Sequence, residues 1–321
     1  MTLRPPVELR VSVTDRCSLR CQYCAPATGS RKTADAAVLS YEEITEFVGL
    51  LLTRYSLKGV RITGGEPLVR PEIEKLVAML AAHGVPDLAL TTNGQRLSEM
   101  AAPLRHAGLR RVNISLDSLD PRSFAAITRG GVLEKTLAGI DAARRAGLDP
   151  VKLNVVVLRG VNEHEAPALV RFAMGHGCQV RFLELMPIGE AADGFESLFV
   201  SSAEVRSTLA SEFGLAPLPV DAEDTSRNFV AEDRRGCRAI VGFISPSSEP
   251  FCNACPRLRL TAAGVLIGCL ARDEGLPLAP LLRGLPGPDV AALEDAIARA
   301  LRMKRRDGVF AQPRAMVGIG G

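Results

Sequence analysis

The chain has 321 residues, 47% of them hydrophobic, enough to bury a sizeable core as one large domain or two unequal ones. Its 39 basic and 36 acidic residues leave a formal charge of +3, so there is no general basic field for a nucleic acid or a membrane surface. No apolar run is long enough to span a membrane and no apolar signal segment opens the sequence, so a cytoplasmic protein is expected.

In chain order, the β-branched runs 8–14, 59–63, 88–92, 111–117, 151–158 and 180–186 predict strands, and 41–54, 72–83, 98–107, 133–146 and 163–174 predict helices between them. Ser40, two residues before Glu42, and Pro71 mark helix starts; Gly84, Gly108 and Gly147 mark stops. Six strands each followed by a helix predict an α/β fold, a (βα)6 parallel sheet curved as a partial TIM-type barrel. A doubly wound open sheet fits the same alternation. After about residue 215 the pattern changes: 221–238 is polar and charged, 239–244 predicts a strand, and 258–260 with 265–267 a hairpin about Thr261-Ala262-Ala263-Gly264. Helices are predicted at 278–285 and 288–303, before a glycine-rich end. The expected division is a barrel over 1–215 and a smaller α+β region over 216–321 that closes the barrel mouth.

The eight cysteines are even in number, but six lie in two tight groups and are not spread as disulfide staples, which points to a reducing compartment. Cys17, Cys21 and Cys24 follow the first predicted strand with C-x3-C-x2-C spacing, at the carboxyl end where barrels place active sites. Three thiolates on one loop suit an iron–sulfur cluster whose fourth iron stays open to a small molecule. Structural zinc generally takes four ligands, and His83, His106, His164 and His176 all fall in or near predicted helices away from the cysteines. Cys252, Cys255 and Cys269 repeat the count of three with C-x2-C-x13-C spacing. Cys178 and Cys237 stand alone and receive no role. Gly64-Gly65-Glu66-Pro67 ends the second strand, where two glycines allow close backbone approach and their amides can face a ligand.

Arg10, Arg61, Lys152 and Arg181 lie on predicted strands one, two, five and six. A charge in a buried parallel strand is costly unless it finds a partner, and strands of one barrel converge on its lumen, so a polyanion is expected there. Arg257 and Arg259, two apart in an extended run, face one side. Guanidinium forks suit phosphate oxygens.

The three-cysteine loop with Tyr23 between its last two ligands, together with Gly64-Gly65-Glu66-Pro67, resembles the radical S-adenosylmethionine superfamily. The second cysteine group with Arg257 and Arg259, and the Gly320-Gly321 terminus, are similar to the GTP 3′,8-cyclase (molybdenum cofactor biosynthesis protein A) family within it, over almost the whole chain. Six further motifs match: 9–17, 61–63, 91–94, 113–117, 152–154 and 181–184.

The resemblance implies a lyase with two [4Fe-4S] clusters, one held by Cys17, Cys21 and Cys24 and the other by Cys252, Cys255 and Cys269. The open iron of the first would take the amino and carboxylate groups of S-adenosylmethionine, whose cleavage gives a radical that removes the C3′ hydrogen of GTP. Attack of C3′ on C8 would then yield 3′,8-cyclo-7,8-dihydro-GTP, the first step of molybdenum cofactor biosynthesis. The second cluster would bind the guanine. Tyr23, Gly65, Ser115 and Met186 carry over as S-adenosylmethionine contacts, and Arg10, Arg61, Thr91, Lys152, Arg181, Arg257 and Arg259 as GTP contacts. Gly320 and Gly321 would thread into the site and support catalysis. Implied partners are an electron donor, the downstream cyclic pyranopterin monophosphate synthase and a second copy in a homodimer, with no nucleic acid and no membrane.

Two positions depart from the family pattern. Ala25 stands where methionine is frequent, and an Asp-x-x-Gly-Arg entry is missing before Leu9. A radical peptide-modifying enzyme with an auxiliary cluster shares the first loop, but usually has more cysteines near its carboxyl end and need not keep the Arg257/Arg259 pair. A non-catalytic electron-transfer or zinc module fits neither three-plus-three ligation nor the glycine loop. Asp15, Glu66 and Asp117 are candidate supports that sequence does not place.

Overall fold

The computed structural model describes residues 5–28, 32–221, 223–285, 287–304, 310 and 314–320. Strands β1 (Pro6–Ser12), β2 (Ser56–Thr63), β3 (Leu88–Thr92), β4 (Arg111–Ser115), β5 (Val151–Val157) and β6 (Gln179–Glu184) alternate with helices α1 (Tyr41–Arg54), α2 (Ile73–Ala82), α3 (Leu97–His106), α4 (Pro121–Thr128), α5 (Leu133–Arg145) and α6 (Ala166–His176). Two further helices follow, α7 (Phe195–Leu198) and α8 (Ser202–Ala210). The remainder adds strands β7 (Gly214–Pro217), β8 (Arg227–Glu232), β9 (Arg238–Ile244), β10 (Arg257–Leu260), β11 (Val265–Ile267) and β12 (Leu276–Pro277), and helices α9 (Ala279–Leu282), α10 (Val290–Arg302) and α11 (Met316–Ile319).

Among the described residues, all twelve strands share one sheet of order β12-β11-β10-β1-β2-β3-β4-β5-β6-β9-β8-β7. Pairing is parallel from β10 across to β9 and antiparallel in the hairpins at the two rims. The expected partial barrel is present, and it is not closed. The carboxyl-terminal strands extend both flanks of one continuous sheet: β10 covers the edge of β1 and β9 the edge of β6.

Alternation along the strands sorts the two faces. In β1, Val7, Leu9 and Val11 are fully buried in the main core, and Glu8, Arg10 and Ser12 point the other way, into the barrel. Helix α1 starts where expected, because Ser40 and Glu43 form a reciprocal capping box. The strand expected over 111–117 stops at Ser115, which frees Leu116 and Asp117 for the loop that follows.

Seven of these elements were not anticipated: α4, α7, α8, α11, β7, β8 and β12. Helix α4 carries ordinary start signals, an Asp120 side chain accepting from the Ser123 N–H and Pro121 in the first turn, but is only eight residues long. Strand β8 falls in the polar segment 221–238 and is mostly half-exposed, so no clean apolar alternation marks it. Strand β7 is the outermost strand on that flank.

One buried acid fixes how the barrel meets the later loops. Glu184, at the end of β6, accepts hydrogen bonds from Ser202 N (2.9 Å), Ser247 N (3.1 Å), Ser248 N (3.0 Å) and the Ser248 hydroxyl. Glu184→Ala should cost about 3 kcal/mol, since it strips several donors from one charged acceptor at once. The urea midpoint of the apoprotein measures this loss, and an unchanged midpoint would show that the loop is held by other contacts.

Candidate active site

A cleft opens at the carboxyl ends of β1–β6. Cys17, Cys21, Tyr23, Cys24, Gly65, Thr91, Ser115, Met186, Arg10, Arg61, Arg181 and Arg259 all line it. Lys152 lies instead on a second, strongly polar cleft at the amino ends of the strands, and Arg61 and Arg181 reach both. Cys252, Cys255, Cys269 and Arg257 line neither.

The cysteine loop leaves β1 and is anchored from several sides. Gly65 N donates to Thr14 O (2.7 Å) and Glu66 N to Arg16 O (2.8 Å), so of the two glycine amides expected to face a ligand that of Gly65 is spent on the segment that carries the cysteines. The glycines are needed for that contact: a Cβ on Gly65 would lie 2.4 Å from Arg16 O, and one on Gly64 would lie 2.6 Å from Thr14 O. The Glu66 carboxylate reaches on to Leu68 N (3.0 Å), the Thr92 hydroxyl (2.7 Å) and Asn93 N (2.7 Å).

Tyr23 donates its hydroxyl to Asp117 Oδ2 (2.6 Å), while Val156 N holds Oδ1 at 2.9 Å. Burial pushes the Asp117 carboxyl up to about 6, against the hydrogen bonds from Tyr23 and Val156. Asp15 accepts from Thr33 N (2.5 Å), so all three candidate supports tie loops around the cleft.

The three thiols suit a metal cluster in their chemistry. Burial raises Cys17, raises Cys21 well above the usual value and takes Cys24 to about 12. Each of Cys21 and Cys24 is raised further by neighbouring thiols, since their thiolates repel. Iron held between them would remove both penalties. No group of three or more His, Cys, Asp or Glu side chains among the described residues converges on a single metal ion. Thiols arranged around a multi-iron cube need no such convergence.

Below this loop the lumen is cationic. The pairing register sets Arg259, Arg10 and Arg61 side by side on β10, β1 and β2. Arg10 Nε and Arg61 Nε are buried with no hydrogen-bond partner among the described residues. Glu8 sits 3.2 Å from Arg61, and although burial opposes it, Arg61, Arg10 and Arg257 hold its carboxyl below the usual value. Arg181 donates to two neutral carbonyls, Asn154 Oδ1 (3.0 Å) and Asn113 Oδ1 (2.7 Å). Burial, then Arg61 and Arg111, lowers Arg181 to about 9. Burial, then Arg181, Arg111 and Arg61, lowers Lys152 to about 8. Burial, then Arg257, lowers Arg259 to about 10. So many crowded cations favour a polyanion strongly.

The chain's end enters this lumen. Gly320 O accepts from the Arg259 guanidinium at 2.5 Å, and a Cβ on Gly320 would lie 3.1 Å from Ser12 and 3.2 Å from Thr63. Gly321 lies outside the described residues.

The second cysteine group has a cation that the sequence did not single out. Lys304, just past α10, donates to Arg257 O and lies 3.9 Å from Cys255 Sγ. Arg257 and Lys304 together outweigh burial and lower the Cys255 thiol, and the charges of Cys255 and Cys269 both act on Lys304. Arg257 stacks over the Phe251 ring, 4.8 Å from its centre.

Comparison with known proteins agrees with this arrangement. The Radical SAM superfamily model matches residues 11–173, and the model for Molybdenum Cofactor Synthesis C matches residues 178–310. The solved structure of Streptococcus suis SuiB bound to S-adenosylmethionine superposes with a TM-score of 0.53 at 17% identity, over 65% of this chain and 47% of that one, a likeness of fold alone. A GTP 3′,8-cyclase 1 of Pseudomonas aeruginosa is 46% identical over 92% of this chain and 89% of its own length. A GTP 3′,8-cyclase of Geobacter sulfurreducens is 42% identical over 98% and 96%. The chain belongs to the radical SAM superfamily and, within it, to the GTP 3′,8-cyclase family.

Proposed function

We propose that this chain is itself a radical S-adenosylmethionine GTP 3′,8-cyclase, acting at the first step of molybdenum cofactor biosynthesis. The observation that carries the reading is the in-register row Arg259–Arg10–Arg61 lying under a three-thiol loop in one cleft. Cys17, Cys21 and Cys24 would hold a [4Fe-4S] cluster, with Tyr23, Gly65, Ser115 and Met186 around S-adenosylmethionine. Bound there, cluster and cofactor supply an electron and a hydrogen-abstracting radical.

The chain's own residues orient the nucleotide. Arg10, Arg61, Arg181 and Arg259, with Thr91 nearby and Lys152 at the amino end, would take the triphosphate and fix the ribose, so that C3′ presents its hydrogen and then closes onto C8. Cys252, Cys255 and Cys269 would hold a second cluster, beside Arg257, offering an open iron to the guanine. That the charges of Cys255 and Cys269 both act on Lys304 supports that grouping. Gly320 would complete the pocket beside Arg259. An external electron donor, the downstream synthase and a homodimer belong to the same reading, on family resemblance alone. A peptide-modifying activity is not favoured, because a peptide has no need of so many buried cations.

Incubation with GTP, S-adenosylmethionine and dithionite without oxygen tests the proposal. Mass spectrometry should find the cyclised triphosphate and 5′-deoxyadenosine, and the absence of both would overturn it.

Lys152 gives the reading a pH signature. A triphosphate holds the ammonium charged, so its pKa in the complex rises above the free value of about 8. The Lys152 contribution to GTP affinity should therefore be constant below pH 8 and fall above it, as the free protein loses that proton. Lys152→Met should remove this component from the pH profile in calorimetry, and an unchanged profile would place the phosphates elsewhere.

A further inference from the structure

We propose that the side-chain amide of Asn93 is a hydrogen-bond donor to the Cys17 sulfur that raises the reduction potential of the cluster held there. The inference rests on the reading of Cys17 as a cluster ligand.

Every polar group of Asn93 is engaged, which determines where its amide hydrogens go. Its backbone N–H donates to Glu66 Oε2 (2.7 Å), and its carbonyl accepts from the Thr136 hydroxyl (3.0 Å). The side-chain Oδ1 accepts from Gln95 N at 3.0 Å, so the NH2 group must face the opposite way. There it meets two acceptors, Ser18 Oγ at 3.2 Å and Cys17 Sγ at 3.9 Å. Two hydrogens thus serve two acceptors. Glu66 holds the preceding Thr92 as well, at 2.7 Å, so the glycine loop that grips the cysteine loop also aims this amide.

Cys17 receives a second donor, Leu19 N at 3.4 Å, but that amide is part of the cysteine loop and moves with it. Asn93 comes from the end of β3 and couples the ligand to the barrel. An N–H aimed at a thiolate favours the state with more negative charge, which for a cluster is the reduced one. Asn93 is therefore a positioning and tuning residue for electron uptake.

The test uses the full chain with Cys252, Cys255 and Cys269 replaced by serine, leaving one iron–sulfur site. After anaerobic reconstitution this parent should hold about four irons. Asn93→Ala and Asn93→Asp are then titrated with reductant and read by electron paramagnetic resonance. The alanine variant should show a roughly tenfold smaller one-electron reduction constant, a midpoint about 59 mV more negative. The isosteric aspartate, which sets a charged oxygen where the donor was, should shift further in the same direction. Full iron with an unshifted or raised midpoint in Asn93→Asp overturns the inference alone. Loss of iron in both variants, with the parent loaded, overturns it in favour of a purely structural role. A parent that binds no iron overturns the ligand reading beneath it.

Discussion

Replacing any one of Cys17, Cys21 or Cys24 by serine should abolish S-adenosylmethionine cleavage and empty the first loop of iron. Changes to residues that only orient a metal ligand cost about 10–100-fold, and loss of a ligand must exceed that. The Cys21 thiol is held far from ionisation by burial and by Asp117, Cys24 and Cys17. Nothing but a strong cation makes its thiolate tolerable, and a serine hydroxyl is harder still to ionise. Iron analysis and 5′-deoxyadenosine yield measure this together. Cys237→Ser, on the exposed turn after β8, is the control and should match the parent. Retained cleavage in a Cys21 variant would move the cofactor away from this loop.

The double change Arg10→Ala, Arg259→Ala should weaken GTP binding on the order of 100-fold. A hydrogen bond to a charged group contributes about 1.5–3 kcal/mol, and about 1.4 kcal/mol is tenfold. The low end applies to each, because removing one guanidinium from the row also relieves repulsion among those that remain in the free protein. Cofactor cleavage should persist without cyclised product, since among the described residues neither arginine hydrogen-bonds the cysteine loop. Equilibrium binding of GTP separates the two effects, and unchanged affinity would take the triphosphate out of the lumen. Arg257, the other member of the sequence pair, lines neither cleft and stacks on Phe251, so its removal should act through Cys255.

What the sequence made legible was mostly local. The C-x3-C-x2-C loop, the glycine loop and the strand–helix alternation are short-range patterns, and the fold follows them. The row Arg259–Arg10–Arg61 is different: two of its members lie on strands paired across roughly the whole chain, so only the register of β10 on β1 brings them level. The roles of Gly64 and Gly65 were half visible. Their need for close approach was clear from composition, but what approaches is the Thr14 and Arg16 backbone. Lys304 carried no signal, being one cation in a basic run after α10. Asn93 lies in a matched motif, but its role depends on hydrogen bonds to residues far away in the chain, which no local pattern reveals.

The late strands have a consequence for biosynthesis. While the ribosome is still making residues beyond 238, β1 and β6 each present a bare parallel border with unfilled backbone donors and acceptors. Such borders invite pairing with other nascent copies. A chain stalled before β9 should therefore precipitate or be captured by chaperones, and solubility should return only once both flanks have been sealed.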